Sequence, residues 1–133
     1  MSTDNLVDLL TLFKDHIIQF FDALLELLPK EQDLYMLRIM FESQIPIDSA
    51  MKIFASRIIP YGDMVKNKDE RFFIECTDLF SGIRKDRVSY FKDLWTSGTL
   101  TAQDKESLWK WFRVFLHYAL QYQKMTGFKI TSS

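Results

Sequence analysis

Apolar residues recur at steps of three and four along most of this chain, the spacing of amphipathic helices. Leu6, Leu9, Leu10, Phe13, Ile17, Phe20, Phe21, Leu24, Leu27 and Leu28 form the first and longest such stripe. Asp8, Asp15, Asp22 and Glu26 occupy its other side. Ser2 or Thr3 can cap this helix, and Pro29 ends it, because a proline pushes the preceding residue out of helical geometry. A second helix is expected from Lys30 or Glu31, with Leu34, Leu37, Met40 and Phe41 inward and a stop before Pro46. Ile47-Asp48 reads as an apolar residue and an N-cap ahead of a third stripe, Met51, Phe54, Ala55, Ile58 and Ile59.

Turn signals then crowd together. Pro60 either ends the third helix or starts the next, and Asn67-Lys68-Asp69 predicts a local break. Asp69 is placed to cap a short helix bearing Phe72, Phe73 and Cys76. After Gly82, the positions Ile83, Arg87, Val88, Phe91, Leu94 and Trp95 mark another helix, closed by Ser97-Gly98 with a left-handed glycine. Thr101-Ala102-Gln103-Asp104 matches a capping box with Asp in the third helical position. The last helix runs to about Met125 with Leu108, Trp111, Phe112, Phe115, Ala119 and Tyr122 on its stripe and Gly127 just past its end. The pattern therefore predicts an all-α fold: a single compact helical bundle of five to seven helices over residues 1–133. Its first and last helices are long, and residues 1–4 and 127–133 are loose.

Composition sharpens this. Apolar residues make up 47% of the 133, too many for a disordered chain, and four Gly and three Pro leave few turns. A single cysteine excludes an intrachain disulfide, and no cysteine–histidine cluster suits zinc, so a reducing intracellular setting is expected. The longest apolar run, from Ile17 to Leu28, is broken by Gln19, Asp22 and Glu26, so no membrane span or signal segment is expected. Charge is uneven. Residues 1–50 hold nine acidic and three basic residues, a balance of −6, whereas residues 51–133 hold nine acidic and fourteen basic, a balance of +5. That asymmetry fits two solvated surfaces, or an acidic and a basic face that stack head to tail.

Candidates for chemistry are few. His16 and His117 lie near opposite ends of the chain, each among apolar helical positions, and read as surface or boundary residues. Cys76, beside Glu75 and Asp78, lacks the positive surroundings of a reactive thiol. Asp8, Asp15 and Asp22, seven apart, suit an acidic docking strip or simply a solvated face. Arg84, Lys85, Arg87 and Lys92 form a candidate basic patch with Tyr90 and Phe91 nearby. Asp86 and Asp93 dilute it, so nucleic-acid binding is a third reading at best. Trp109 and Trp111 are two apart, about 200° around a helix. If Trp111 joins the buried stripe, Trp109 faces either solvent, as an interface anchor, or another element such as the helix at Phe72. Tyr61, beside Pro60, is a second candidate interface residue. No enzyme, cofactor, metal or small-molecule substrate is implied.

Several short motifs occur in a particular order: Phe-Phe-Asp-Ala-Leu at 20–24, Ile-Pro-Tyr at 59–61, Asn-Lys-Asp-Glu-Arg-Phe-Phe at 67–73, Leu-Trp at 94–95 and Ser-Leu-Trp-Lys-Trp-Phe at 107–112. This order resembles small helical proteins that recur in nucleocytoplasmic large DNA viruses, the mimivirus, phycodnavirus and iridovirus relatives. The resemblance implies no catalytic residues, a host cytoplasm or viral factory, and a place in or on the particle. The function expected is a non-enzymatic protein–protein interaction or virion-associated structural module, whose partner is itself or a larger viral or host component. The alternative is a viral regulator of a host helical-bundle pathway such as death signalling, marked by an apolar surface groove.

Overall fold

The structure, a computed structural model, describes residues 3–27, 29, 32–72, 98 and 100–127. Of these, 88% are helical and none lies in a strand, which establishes the all-α class. In chain order the elements are α1 (Thr3–Leu27), α2 (Gln32–Ile39), a π turn (Met40–Gln44), α3 (Ile47–Ile58), a 3-10 turn (Ile59–Tyr61), α4 (Gly62–Lys66) and α5 (Ala102–Thr126). Among the described residues four helices reach eight residues or more, fewer than the five to seven expected. At Pro60 the third helix gives way to a three-residue 3-10 turn, and the short turn of helix that the pattern places at Tyr61 to Lys66 is the five-residue α4. The helix expected over Ile83–Trp95, and with it Cys76, lies outside the described residues. Both long helices are present, at 25 residues each.

The chain divides into two units, residues 1–52 and 53–133. In the first, α1 and α2 pack through the predicted stripe. Phe13, Ile17, Phe20, Phe21 and Leu34 are fully buried, and Leu24, Leu37 and Phe41 nearly so. Phe21 meets Phe41 with ring centroids 5.7 Å apart. Burying each such side chain contributes about 1.5–3 kcal/mol relative to leaving it in water. Arg38 then ties the pair together. Its Nε donates to Asp22 Oδ1 on α1 at 2.7 Å, and its guanidinium also reaches Glu42 one turn on. These contacts hold the guanidinium pKa above its ordinary value, the Asp22 hydrogen bond being the largest cause.

After α2 the helix widens into the π turn, closed by Ile45 N–H donating to Met40 O at 2.9 Å. Pro46, which cannot donate, follows, and its carbonyl accepts from Ala50 N–H at 3.0 Å. So α3 starts at Ile47, and Asp48 sits inside its first turn instead of capping it. There it faces Lys52 at 3.4 Å.

In the second unit the core is a run of aromatic rings. Phe54 meets Phe115 edge-on at 5.6 Å, Phe115 meets Phe112 at 5.9 Å, and Phe112 meets Phe72 at 5.4 Å. Edge-to-face contacts of this kind add about 0.5–1.5 kcal/mol each beyond area burial. α4 ends in a Schellman motif: Asp69 N–H donates to Met64 O at 2.8 Å and Lys68 N–H to Val65 O at 3.3 Å. The left-handed position falls on Lys68, at φ 55°, a residue type that rarely occupies it. Asp69 then caps the next turn as expected, its carboxylate accepting from Arg71 N–H at 3.1 Å. The capping box at α5 is also as expected. Thr101 Oγ1 accepts from Asp104 N–H at 3.1 Å, and Asp104 Oδ2 accepts from Thr101 N–H at 3.0 Å. Gly98 and Gly127 take left-handed φ values of 80° and 69°, where a side chain would be strained.

Candidate interaction surfaces

Trp109 is buried, 4% exposed, with its ring 6.3 Å from Phe72. Of the two destinations open to it, another element was the one taken. The reason is the width of the α5 stripe. Leu108, Trp109, Phe112, Phe115, Leu116, Ala119 and Tyr122 are all buried and span about 140° of the helix. Trp109 and Trp111 bracket that arc, so neither is forced to solvent. Trp111 is half-buried, stacked on Phe115 at 6.0 Å. Tyr61, the other candidate anchor, is half-buried and meets Phe72 edge-on at 6.0 Å. Phe72 thus gathers Tyr61, Trp109 and Phe112 around itself. The two candidate interface residues are brought together by the core of the second unit, with only Tyr61 reaching its surface. The candidate basic patch, Arg84, Lys85, Arg87 and Lys92, lies outside the described residues.

A surface that the apolar stripe did not flag lies on α2. Tyr35, Met36 and Ile39 are 48%, 46% and 52% exposed. They share an arc of about 100°, opposite Leu34 and Leu37, which are buried. The second side is thus an uncovered apolar cluster, with the exposed Gln32 lying in the same arc. The signal was present in Leu-Tyr-Met-Leu-Arg-Ile, residues 34–39, which has one charged residue and no polar face.

The second unit carries an open groove of about 360 Å³ lined by Lys66, Arg113, Leu116, His117 and Leu120. Its lining surface is mostly apolar, with three basic or imidazole residues beside the two leucines. Arg113 is fixed there by donating to Lys66 O at 2.7 Å, which satisfies a carbonyl at the end of α4. Nearby, Lys68 bonds Glu106 and holds its carboxyl below the usual range. Arg71 does the same for Asp69, chiefly through the side-chain hydrogen bond. Partial burial pushes the Tyr118 hydroxyl pKa up. His16 and His117 keep separate local company. His16 Nδ1 lies 2.8 Å from Leu12 O, and the His117 ring lies 5.9 Å from Tyr118.

Among the described residues no group of three or more His, Cys, Asp or Glu could hold a metal ion, and no helix is long and apolar enough to cross a membrane. No family model, curated protein or solved structure matches the chain.

Proposed function

We propose that this protein is a non-enzymatic interaction module that docks through the outer face of α2, as an assembly or virion-associated component. The carrying observation is the exposed trio Tyr35, Met36 and Ile39 on a helix whose opposite face is already packed. Scattered exposed apolar residues are ordinary, but a cluster on one helix face marks a surface that is covered in use. The resemblance of the motifs between residues 20 and 112 to large-DNA-virus proteins supplies the setting, a host cytoplasm or viral factory. A helix-in-groove regulator is the second reading, carried by the groove beside Leu116 and Leu120, whose lining surface is mostly apolar.

A photo-crosslinking amino acid placed at position 35, in cells producing the protein, tests this reading. The expected result is discrete protein adducts at 35 that are absent when the probe sits at Ser49, an exposed α3 position. Equal labelling at the two positions, or none at 35, would overturn it.

A further inference from the structure

The two 25-residue helices carry opposite charge on their solvent faces, and they carry it in the same repeat. On α1, Asp8, Asp15 and Asp22 recur every seven residues, and all three are exposed. Seven residues advance about 10.5 Å along a helix and fall about 20° short of two turns, so the carboxylates keep to one line. Leu12 sits on that face between Asp8 and Asp15, 47% exposed.

On α5, Lys110, His117 and Lys124 also recur every seven residues and are also exposed. Arg113 stands one turn beyond Lys110, and Leu120, 36% exposed, lies between His117 and Lys124. No Asp or Glu occurs anywhere from Ser107 to Gly127. The basic line is therefore unmixed beyond Lys110, which has Glu106 one turn before it. The acidic line belongs to a chain segment of charge −6 and the basic line to one of +5.

We propose that the partner of these two faces is a second copy of the chain, joined head to tail, with the acidic line of α1 in one copy seated on the basic line of α5 in the next. Matching repeats of about 10.5 Å let Asp8 and Asp15 meet two successive members of the Lys110, His117 and Lys124 line, with the Arg38-paired Asp22 beside the third, while Leu12 and Leu120 lose water at the seam. His117 can donate an N–H to a carboxylate in either charge state. A contact of α1 on α1, or of α5 on α5, would oppose like charges, so the seam pairs α1 of one copy with α5 of the other. Repeated head to tail, such a contact leaves one free line of each sign at the ends and propagates into a ring or a filament; made reciprocally, it closes a two-fold dimer. Exposed ion pairs contribute only about 0–1 kcal/mol each, so they set orientation and register, and the association weakens with salt. This inference rests on the interaction-module reading but uses a different surface from the α2 face.

Sedimentation velocity on the full chain, over a range of concentrations at low and high NaCl, provides the test. Two variants reverse one line each: Asp8→Lys with Asp15→Lys, and Lys110→Glu with Lys124→Glu. Asp22 and Arg113 are left intact because they hold Arg38 and the α4 carbonyl. Wild type should grow in mass with concentration at low salt and return to 15.8 kDa at high salt. Each variant alone should stay at the monomer mass, with unchanged circular dichroism. An equimolar mixture of the two should associate again, because each then offers the line the other lacks. Wild type that remains monomeric at low salt overturns the proposal, and so does a mixture that fails to associate. Association that survives both reversals but is lost on Tyr35→Gln, Met36→Gln and Ile39→Gln also overturns it, while leaving the α2 reading standing. Crosslinked adducts at position 35 in a strictly monomeric chain would have the same meaning.

Discussion

Lys68 shows how one residue can carry a local conflict. The Schellman motif after α4 places it in the left-handed region, where an L-residue with a side chain costs about 1–2 kcal/mol. Glycine there relieves the Cβ clash but adds unfolded-state entropy and removes the ion pair to Glu106. Lys68→Gly should therefore be neutral or gain up to about 1 kcal/mol. Lys68→Val should lose about 1–2 kcal/mol, since a β-branched residue fits the left-handed region worst. At this chain length 1 kcal/mol moves the thermal midpoint by about 3–5 °C, so scanning calorimetry resolves the ranking. A valine variant as stable as wild type would contradict the assignment of that φ. The Asn67–Asp69 break was legible in the sequence, whereas the strained residue within it was not. Which of three polar residues takes the left-handed position depends on where the helix hydrogen bonds run out.

At the scale of elements, α5 and the α4 segment are held together by Phe72 more than by any polar contact. Its ring is 1% exposed and touches Tyr61, Trp109 and Phe112. Phe72→Ala should cost about 3–5 kcal/mol, the range for truncating a buried aromatic in a packed core. Urea unfolding followed by tryptophan fluorescence would measure it; a loss under about 1 kcal/mol would mean that the cluster is not a packed core. The inward direction of Phe72 was predicted, and so were the two caps of α5. The sequence leaves Trp109 two destinations, solvent or this same cluster, because a narrow apolar line has room for only one of two tryptophans 200° apart. The broad stripe of α5 admits both edges. The π turn was missed for a related reason, since one widened turn leaves the apolar spacing around Phe41 intact.

For the whole molecule, charge is the property with the longest reach. Asp69 and Glu106 are both held below the usual carboxylate range by cationic hydrogen-bond partners. A lowered folded-state pKa means that stability is present above the unfolded value, about 4, and is lost as pH falls through the lower folded value. The urea midpoint should thus decline as pH is taken from about 5 to 3, and Asp69→Asn combined with Glu106→Gln should flatten part of that decline. Identical pH profiles for the two proteins would count against these pairs. The same charges are arranged unevenly, with an acidic first segment and a basic second one, the asymmetry on which the proposed head-to-tail contact rests.

The sequence by itself determined the all-α class, the extent of both long helices, the capping box at Thr101 and the inward faces of α1 and α5. These follow from periodicity and local hydrogen bonding, which neighbours along the chain decide. It also contained both charged lines in their seven-residue spacing. Only the tertiary structure decided which apolar faces are covered. Trp109 went under Phe72, and Leu34 and Leu37 of α2 were packed while Tyr35, Met36 and Ile39 stayed in water. A helix with apolar residues on two sides has no single intrinsic inside, so the choice belongs to the element that packs against it.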